Sequence, residues 1–391
     1  MTARRRHDTR AWMLKRLGLL LGGLALGLGL AELGARLARP PGNADLLFDS
    51  PNATPDGLYM THERLQRVPV KNFAGEVDCL GFTAPLRTNS LGLRGGKVPA
   101  PAAGVKRWLT VGDSFVIALQ VKEQDTFQAR LKQRTGQLFF NGGVDTYSTW
   151  QAAGRYGELA PGLKPLQGVI LVYFLGNDFV DNAEFKRKQG NLPVFGGHKP
   201  GGRKAKTGDL LPKQDVTFLT KWLMAHSYLY GRLRVWYRLQ SLRDGTHHSL
   251  PRWRSELSLF TSTDRGGKLL KTLMPATRRA LTALRDDARK RGHKLLVALA
   301  PPAFAVDRQR AGPTLEMVGL DPARADLDAP RRALEETLAK LSVEACDLTP
   351  ALRRANTAEA PAYYTFDGHW TPRGHDAVAG AVAGCLKKRG W

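Results

Sequence analysis

Cysteine is scarce in this chain: Cys79, Cys346 and Cys385 stand far apart among 391 residues, an odd number with no paired spacing. This excludes a zinc ribbon or a disulfide framework and leaves room for one bridge and one spare thiol. Acidic residues are also few, 35 against 59 Lys plus Arg, a formal charge of +24. Such a surplus calls for an anionic partner, whether nucleic acid, anionic lipid or acidic polymer, without choosing among them. No repeat period of about 20 to 50 residues recurs, which argues against a solenoid. His226, His247, His248 and Asp181 lack ligand spacing, so neither a metal nor another cofactor is expected. With 42% hydrophobic residues the chain can still bury a core. Its length fits two or three domains or one enlarged α/β domain.

Long uncharged apolar runs are rare, and the first sets the compartment. Residues 1–16 carry Arg4, Arg5, Arg6, Arg10, Lys15 and Arg16 against Asp8, and residues 17–31 carry no charge. Fifteen residues fall short of the ~20 that span hydrocarbon, but Glu32 and Arg36 lie one helical turn apart and can pair, extending the span to residue 38. The basic cluster should stay cytoplasmic and send the rest outside. Segments 1–16 and 17–38 are therefore expected to be a cytoplasmic basic segment and an inner-membrane anchor or uncleaved signal, with the working domain extracytoplasmic, in the periplasm. Cleavage after Gly29-Leu30-Ala31 is the competing reading; helix-compatible sequence continuing to Pro40-Pro41 favours the anchor. An exported domain does not meet nucleic acid, despite its charge.

Residues 39–104, rich in Pro, Gly and Asn, read as a linker and irregular prelude. From 105 to 391 the rhythm is strand, turn, helix: strands at 108–111, 138–140, 168–174, 294–299 and 343–348, and helices near 124–134, 150–159, 331–341 and 372–388. The run 168–174 is continuously apolar, as in a parallel strand buried on both faces. A doubly wound parallel sheet follows. The rhythm breaks over an insertion at 186–265. Its 186–254 stretch holds 15 Lys plus Arg against Asp209, Asp215 and Asp244, half of the chain's net charge. Residues 195–208 read as a mobile loop. Trp222, Tyr228, Leu229, Leu233 and Trp236 recur at helical spacing over 216–242, which predicts a helical hairpin with its apolar side on the domain. A lid binding an anionic glycan or lipid head groups is the alternative.

Three strand ends and one late loop carry small or polar residues: Gly112-Asp113-Ser114, Asn141-Gly142-Gly143, Gly176-Asn177-Asp178 and Asp367-Gly368-His369. The carboxyl edge of a parallel sheet is where ligand crevices lie. Acyl transfer from an ester needs this set. A serine hydroxyl requires a base, which His369 supplies, and the base requires an orienting carboxylate, which Asp367 supplies by accepting the Nδ1 proton, both reaching one side of an extended segment. The backbone N–H groups of Ser114 and Gly143 and the Asn177 amide are the candidate oxyanion donors. Singly, these residues have plainer readings as a helix cap or tight turns; His375, the rival base, lies inside the last helix. Asp113 and Asp178 read as loop braces accepting backbone N–H groups.

In their order, Gly112-Asp113-Ser114, Gly143, Asn177 and Asp367 with His369 resemble the SGNH/GDSL hydrolase superfamily, named for its Ser, Gly, Asn and His. The segments Asn89-Ser90-Leu91-Gly92-Leu93-Arg94-Gly95 and Gly176-Asn177-Asp178-Phe179-Val180-Asp181-Asn182 are similar to a bacterial membrane-tethered branch of it. The resemblance implies a flavodoxin-like three-layer α/β/α sandwich and esterase, lipase or carbohydrate O-acetyl chemistry on an acyl ester of a carbohydrate or lipid. Arg94 with Asn89 would brace the prelude against the catalytic edge. Two departures stand out: Gly176 directly abuts Asn177, where Gly-x-Asn-Asp is usual, and Asp-x-His replaces Asp-x-x-His. The latter resembles periplasmic polysaccharide O-acetyltransferases, which keeps transfer open beside hydrolysis. A non-catalytic glycan-binding protein is the third reading.

Overall fold

The computed structural model describes residues 2–38, 44–47, 54–187, 208, 210 and 217–391. Five strands, β5 (Arg107–Val111), β6 (Leu138–Asn141), β7 (Gly168–Phe174), β8 (Lys294–Ala300) and β9 (Glu344–Asp347), form one parallel sheet ordered β6-β5-β7-β8-β9. The first of these strands in the chain lies second in the sheet and the chain reverses direction there, the flavodoxin-like order whose switch point lies between β5 and β7. The register sets Val111, the last residue of β5, beside Leu171, and β7 continues to Phe174.

Both faces of the sheet are covered. Val169, Leu171 and Tyr173 of β7 pack with α5 (Thr149–Leu159), α6 (Asp178–Arg187), α10 (Asp264–Lys290) and α13 (Ala329–Lys340). Ile170 and Val172 point the other way, onto α4 (Phe127–Thr135), α14 (Thr349–Ala355) and α15 (Pro372–Lys388). Alternate residues of one continuous apolar run thus serve two cores, as period-2 geometry requires. Local chemistry fixes the helix starts: Ser148 and Gln151 make a capping box on α5, and Thr371 caps α15 ahead of Pro372. Cys346 and Cys385 form a disulfide, tying β9 to α15, and Cys79 is a buried thiol.

The prelude departs from its expected irregularity. Residues 54–104 contain two antiparallel hairpins, β1 (Tyr59–His62) with β2 (Gln66–Pro69) and β3 (Ala74–Cys79) with β4 (Phe82–Arg87). Four-to-six-residue strands interrupted by glycine and proline leave too short a period-2 signature to stand out. Leu58, Val77 and Leu86 nonetheless share a core with Ile117 and Val144 beside the sheet edge.

The N-terminal helix α1 runs Thr2–Leu37, and its residues Trp12–Leu37 are long and apolar enough to cross a membrane. Glu32 and Arg36 pair at 2.9 Å, as their spacing predicts. A short helix, α2 (Ala44–Leu47), follows. From residue 217 on, the insertion is helical: α7 (Phe218–His226), α8 (Tyr228–Arg243) and α9 (Leu250–Ser258) lead into α10, whose first residues the boundary at 265 had claimed. The expected loop at 195–207 lies outside the described residues. The buried stripe also differs from the expected one. A break at Ser227, the cap of α8, resets the helical phase, so Met224, Val235 and Leu242 are buried while Trp222, Leu233 and Trp236 are exposed.

Candidate active site

Gly112 leads the chain out of β5 into α3 (Ser114–Ile117), a single turn that puts Ser114 at the carboxyl edge of the sheet. With φ +150° at Gly112, a Cβ there would lie 2.7 Å from the carbonyl oxygen of Val172 in β7, so only glycine permits so close a passage. Asp113, not Ser114, caps this turn: its Oδ1 accepts the Phe115 N–H at 3.0 Å.

A one-turn helix cannot satisfy its own last carbonyls. Three buried side chains do it instead. Asn141 Nδ2 and Gln128 Nε2 donate to Val116 O at 2.7 and 3.1 Å, and Arg94 Nη1 donates to Ile117 O at 2.6 Å. The Arg94 guanidinium also binds the carbonyls of Ala118 and Val121. Burial lowers the Arg94 pKa to about 10, which leaves it charged at neutral pH. Asn89 holds its own loop, donating to Gly96 O at 3.1 Å and accepting from Leu91 and Leu93. Arg94→Leu is expected to strip these carbonyls of donors and cost about 3 kcal/mol, read as a lower urea midpoint at unchanged m-value.

Ser114 Oγ lies 2.7 Å from His369 Nε2, and His369 Nδ1 lies 2.6 Å from Asp367 Oδ1. The sequence-predicted hydroxyl, imidazole and carboxylate therefore meet. The Asp–His pair is brought together by a turn rather than by an extended segment. Tyr363 and Trp370 bridge in antiparallel fashion, Tyr364 N–H donates to His369 O at 2.9 Å, and Asp367 Oδ1 also accepts the His369 backbone N–H at 3.2 Å. Doubling back in this way lets one intervening residue suffice. Phe115, whose ring centroid is 4.8 Å from that of His369, packs on the imidazole and is itself backed by the fully buried Trp370. Gln120, another contributor not foreseen from sequence, reaches Asp367 Oδ2 at 3.4 Å. Its polar character alone carried no signal.

Burial opposes charge on His369, but Asp367, with Asp113 and Asp145 farther off, outweighs it and raises the pKa above the ordinary 6.5. A neutral imidazole is needed to accept the serine proton. Activity should therefore fall as pH drops through a midpoint above 6.5, the ordinary value, which a pH profile of kcat/KM checks. His375 is no rival: it is buried, its Nδ1 accepts the Phe127 N–H at 3.2 Å, and burial lowers its pKa to about 3. Asp113 and Asp178 brace loops as expected, Asp178 by accepting the Phe174 N–H at 2.9 Å. Burial raises the Asp113 pKa to about 7 and that of Asp178 well above the usual range.

The three expected oxyanion donors differ in state. Ser114 N–H, at the start of α3, has no acceptor within the helix. Asn177 follows the end of β7, just before α6, and its Oδ1 is buried without a hydrogen-bond partner. The Gly143 N–H is engaged, donating to Asn141 Oδ1 at 3.1 Å. Gly143 also has a packing reason to be glycine: a Cβ there would sit 2.3 Å from Ile117 N.

A five-stranded parallel sheet in this order, with helices on both faces and a serine on the turn after its first strand, is a flavodoxin-like α/β/α fold. The chain matches, over residues 259–391, the family described as SGNH hydrolase-like domain, acetyltransferase AlgX. That segment holds Asp367 and His369, while Ser114, Gly143 and Asn177 precede it. Among solved structures, a member of the lipolytic protein G-D-S-L family from Veillonella parvula is 12% identical, with a TM-score of 0.36 over 73% of this chain and all of that one. A carbohydrate esterase family 2 enzyme with a carbohydrate-binding domain from Corynascus thermopiles (Myceliophthora fergusii) is 11% identical, with a TM-score of 0.34 over 77% of this chain and 70% of that one. Likeness at this level says nothing of activity. Among curated proteins none matches.

Proposed function

We propose that this protein is a membrane-anchored serine enzyme that moves an acyl group on an ester of a carbohydrate or lipid outside the cytoplasm. The observation that carries the reading is the unbroken relay from Ser114 Oγ through His369 to Asp367, at 2.7 and 2.6 Å. Ser114 attacks the ester carbonyl as His369 Nε2 takes its proton. Asp367 fixes the tautomer and balances the imidazolium. His369 then protonates the departing alkoxide and activates the next nucleophile.

The oxyanion would be held by Ser114 N–H and the Asn177 amide. Gly143 N–H would join by sharing its bond with Asn141. Asn177→Ala is expected to lower kcat by about 10²–10³ with little change in KM, measured by steady-state ester hydrolysis.

Hydrolysis and transfer differ only in the acceptor. The family matched over residues 259–391 is described as an acetyltransferase, which favours an O-acyltransferase acting on an exported polysaccharide as the second reading. Product analysis with and without a glycan acceptor decides: free acid in both favours hydrolysis, and acyl-glycan formed at the expense of free acid favours transfer. Failure of the wild type to react with a fluorophosphonate, combined with salt-dependent glycan binding, would favour a binding protein on this fold instead.

A further inference from the structure

We infer that Glu32, in the apolar helix α1, is a positioning residue for the loop that carries Asp367 and His369, acting through the first turn of α8. The inference rests on the acyl-transfer reading for its catalytic consequence, though the coupling itself can be read without turnover.

Glu32 is the sole acidic residue between positions 12 and 37. A carboxylate in an apolar, membrane-length helix is costly and calls for a reason. Its partners supply one. Oε1 accepts the Tyr228 N–H and Arg36 Nε, each at 2.9 Å, and Oε2 accepts the Ser227 hydroxyl at 2.8 Å and the Leu229 N–H at 3.0 Å. Ser227 is the cap of α8, so Glu32 binds backbone N–H groups of that helix start which have no acceptor of their own. Arg36 adds a bond to His226 O at 2.9 Å, and Arg232 returns one to Ala35 O at 2.9 Å.

From this junction the Tyr228 ring meets Phe366 edge-on, with centroids 5.8 Å apart. Phe366 is buried with Leu80, Met224 and Val235, and is followed directly by Asp367. Two contacts and one peptide bond thus lead from the carboxylate in α1 to the carboxylate that orients the catalytic imidazole. α8 belongs to no sheet, and the 364–370 turn is closed by its own bridge between Tyr363 and Trp370 rather than by the central sheet. A shift of the α8 start would therefore pass through Tyr228 to Phe366, and reaction geometry is intolerant of small displacements.

The test uses full-length protein in lipid nanodiscs and p-nitrophenyl acetate, a soluble ester that needs no membrane. Glu32→Ala is expected to lower kcat by roughly ten- to a hundredfold with KM unchanged. Glu32→Gln, which keeps an acceptor for the α8 N–H groups, should restore most of it. Tyr228→Leu should reproduce the loss with the sequence of α1 and the Glu32 bonds to the α8 N–H groups intact, although it also removes the ring under Arg36, and carries the test if Glu32→Ala fails to insert. The double variant should be no worse than the worse single one. In parallel, hydrogen exchange over residues 360–371 should quicken in Glu32→Ala and Tyr228→Leu, whether or not the wild type turns over ester. Quickened exchange in a protein without esterase activity would uphold the coupling and refute the acyl-transfer reading. Unchanged exchange and kcat in both variants, or equal losses in Glu32→Ala and Glu32→Gln, would overturn the inference.

Discussion

Ser114→Ala is expected to abolish reaction with a fluorophosphonate and to reduce kcat on p-nitrophenyl esters by a factor on the order of 10⁶. In the proposed mechanism the Ser114 hydroxyl is the end of the relay that attacks the ester, and without it His369 has no nucleophile to activate. The substitution should leave the fold intact. The oxygen is bonded to His369 alone among the described hydrogen bonds, and the turn that holds it is secured by Asp113, Asn141 and Arg94. An unchanged melting temperature with lost turnover is the expected pair of results; retained turnover would remove Ser114 from the mechanism.

Asp367→Asn should cost about 10⁴ in kcat. Asp367 Oδ1 accepts both the backbone N–H and the ring Nδ1–H of His369. An amide oxygen in the Oδ1 place turns the amide nitrogen against the Gln120 donor; with the nitrogen in the Oδ1 place instead, the backbone bond is lost and a donor faces Nδ1, which favours the tautomer with its proton on Nε2. That tautomer presents a donor to Ser114 and cannot take its proton. Because Asp367 supports the raised pKa of His369, the acid limb of the pH profile should also move to lower pH. A loss below about tenfold would mean that Asp367 holds the turn without orienting the base, since correct tautomer selection is the larger effect.

Several parts of this site were legible because they depend on short-range chemistry. The strand 168–174 and the helix 372–388 are read from an apolar run and from proline at a first turn, and the structure gives the same bounds. Ser114, Asn177 and His369 were reachable because each follows a strand or precedes a helix at the edge where a parallel sheet presents its ligands. Less legible were the groups whose purpose is to complete another element's hydrogen bonds. Gln120 and Gln128 belong to no motif, and their roles depend on carbonyls and carboxylates that only the folded chain brings near. The state of Gly143 was also hidden, because its N–H is taken by a neighbouring side chain whose rotamer the sequence does not disclose.

The amino-acid order by itself determined the parallel α/β rhythm, the apolar N-terminal helix and the pairing of Glu32 with Arg36, all consequences of periodicity and neighbours within a turn. Tertiary structure decided that residues 54–104 form hairpins packed against the turn that carries Ser114, that the insertion buries a different stripe from the one its aromatics suggest, and that Cys346 bonds to Cys385. It also decided that Asp367 and His369 meet through a turn, and that the end of α1 is fastened to α8. These features join residues up to 197 positions apart. Their energies come from burial and from satisfying backbone groups that have no local partner, and both exist only once the chain is packed.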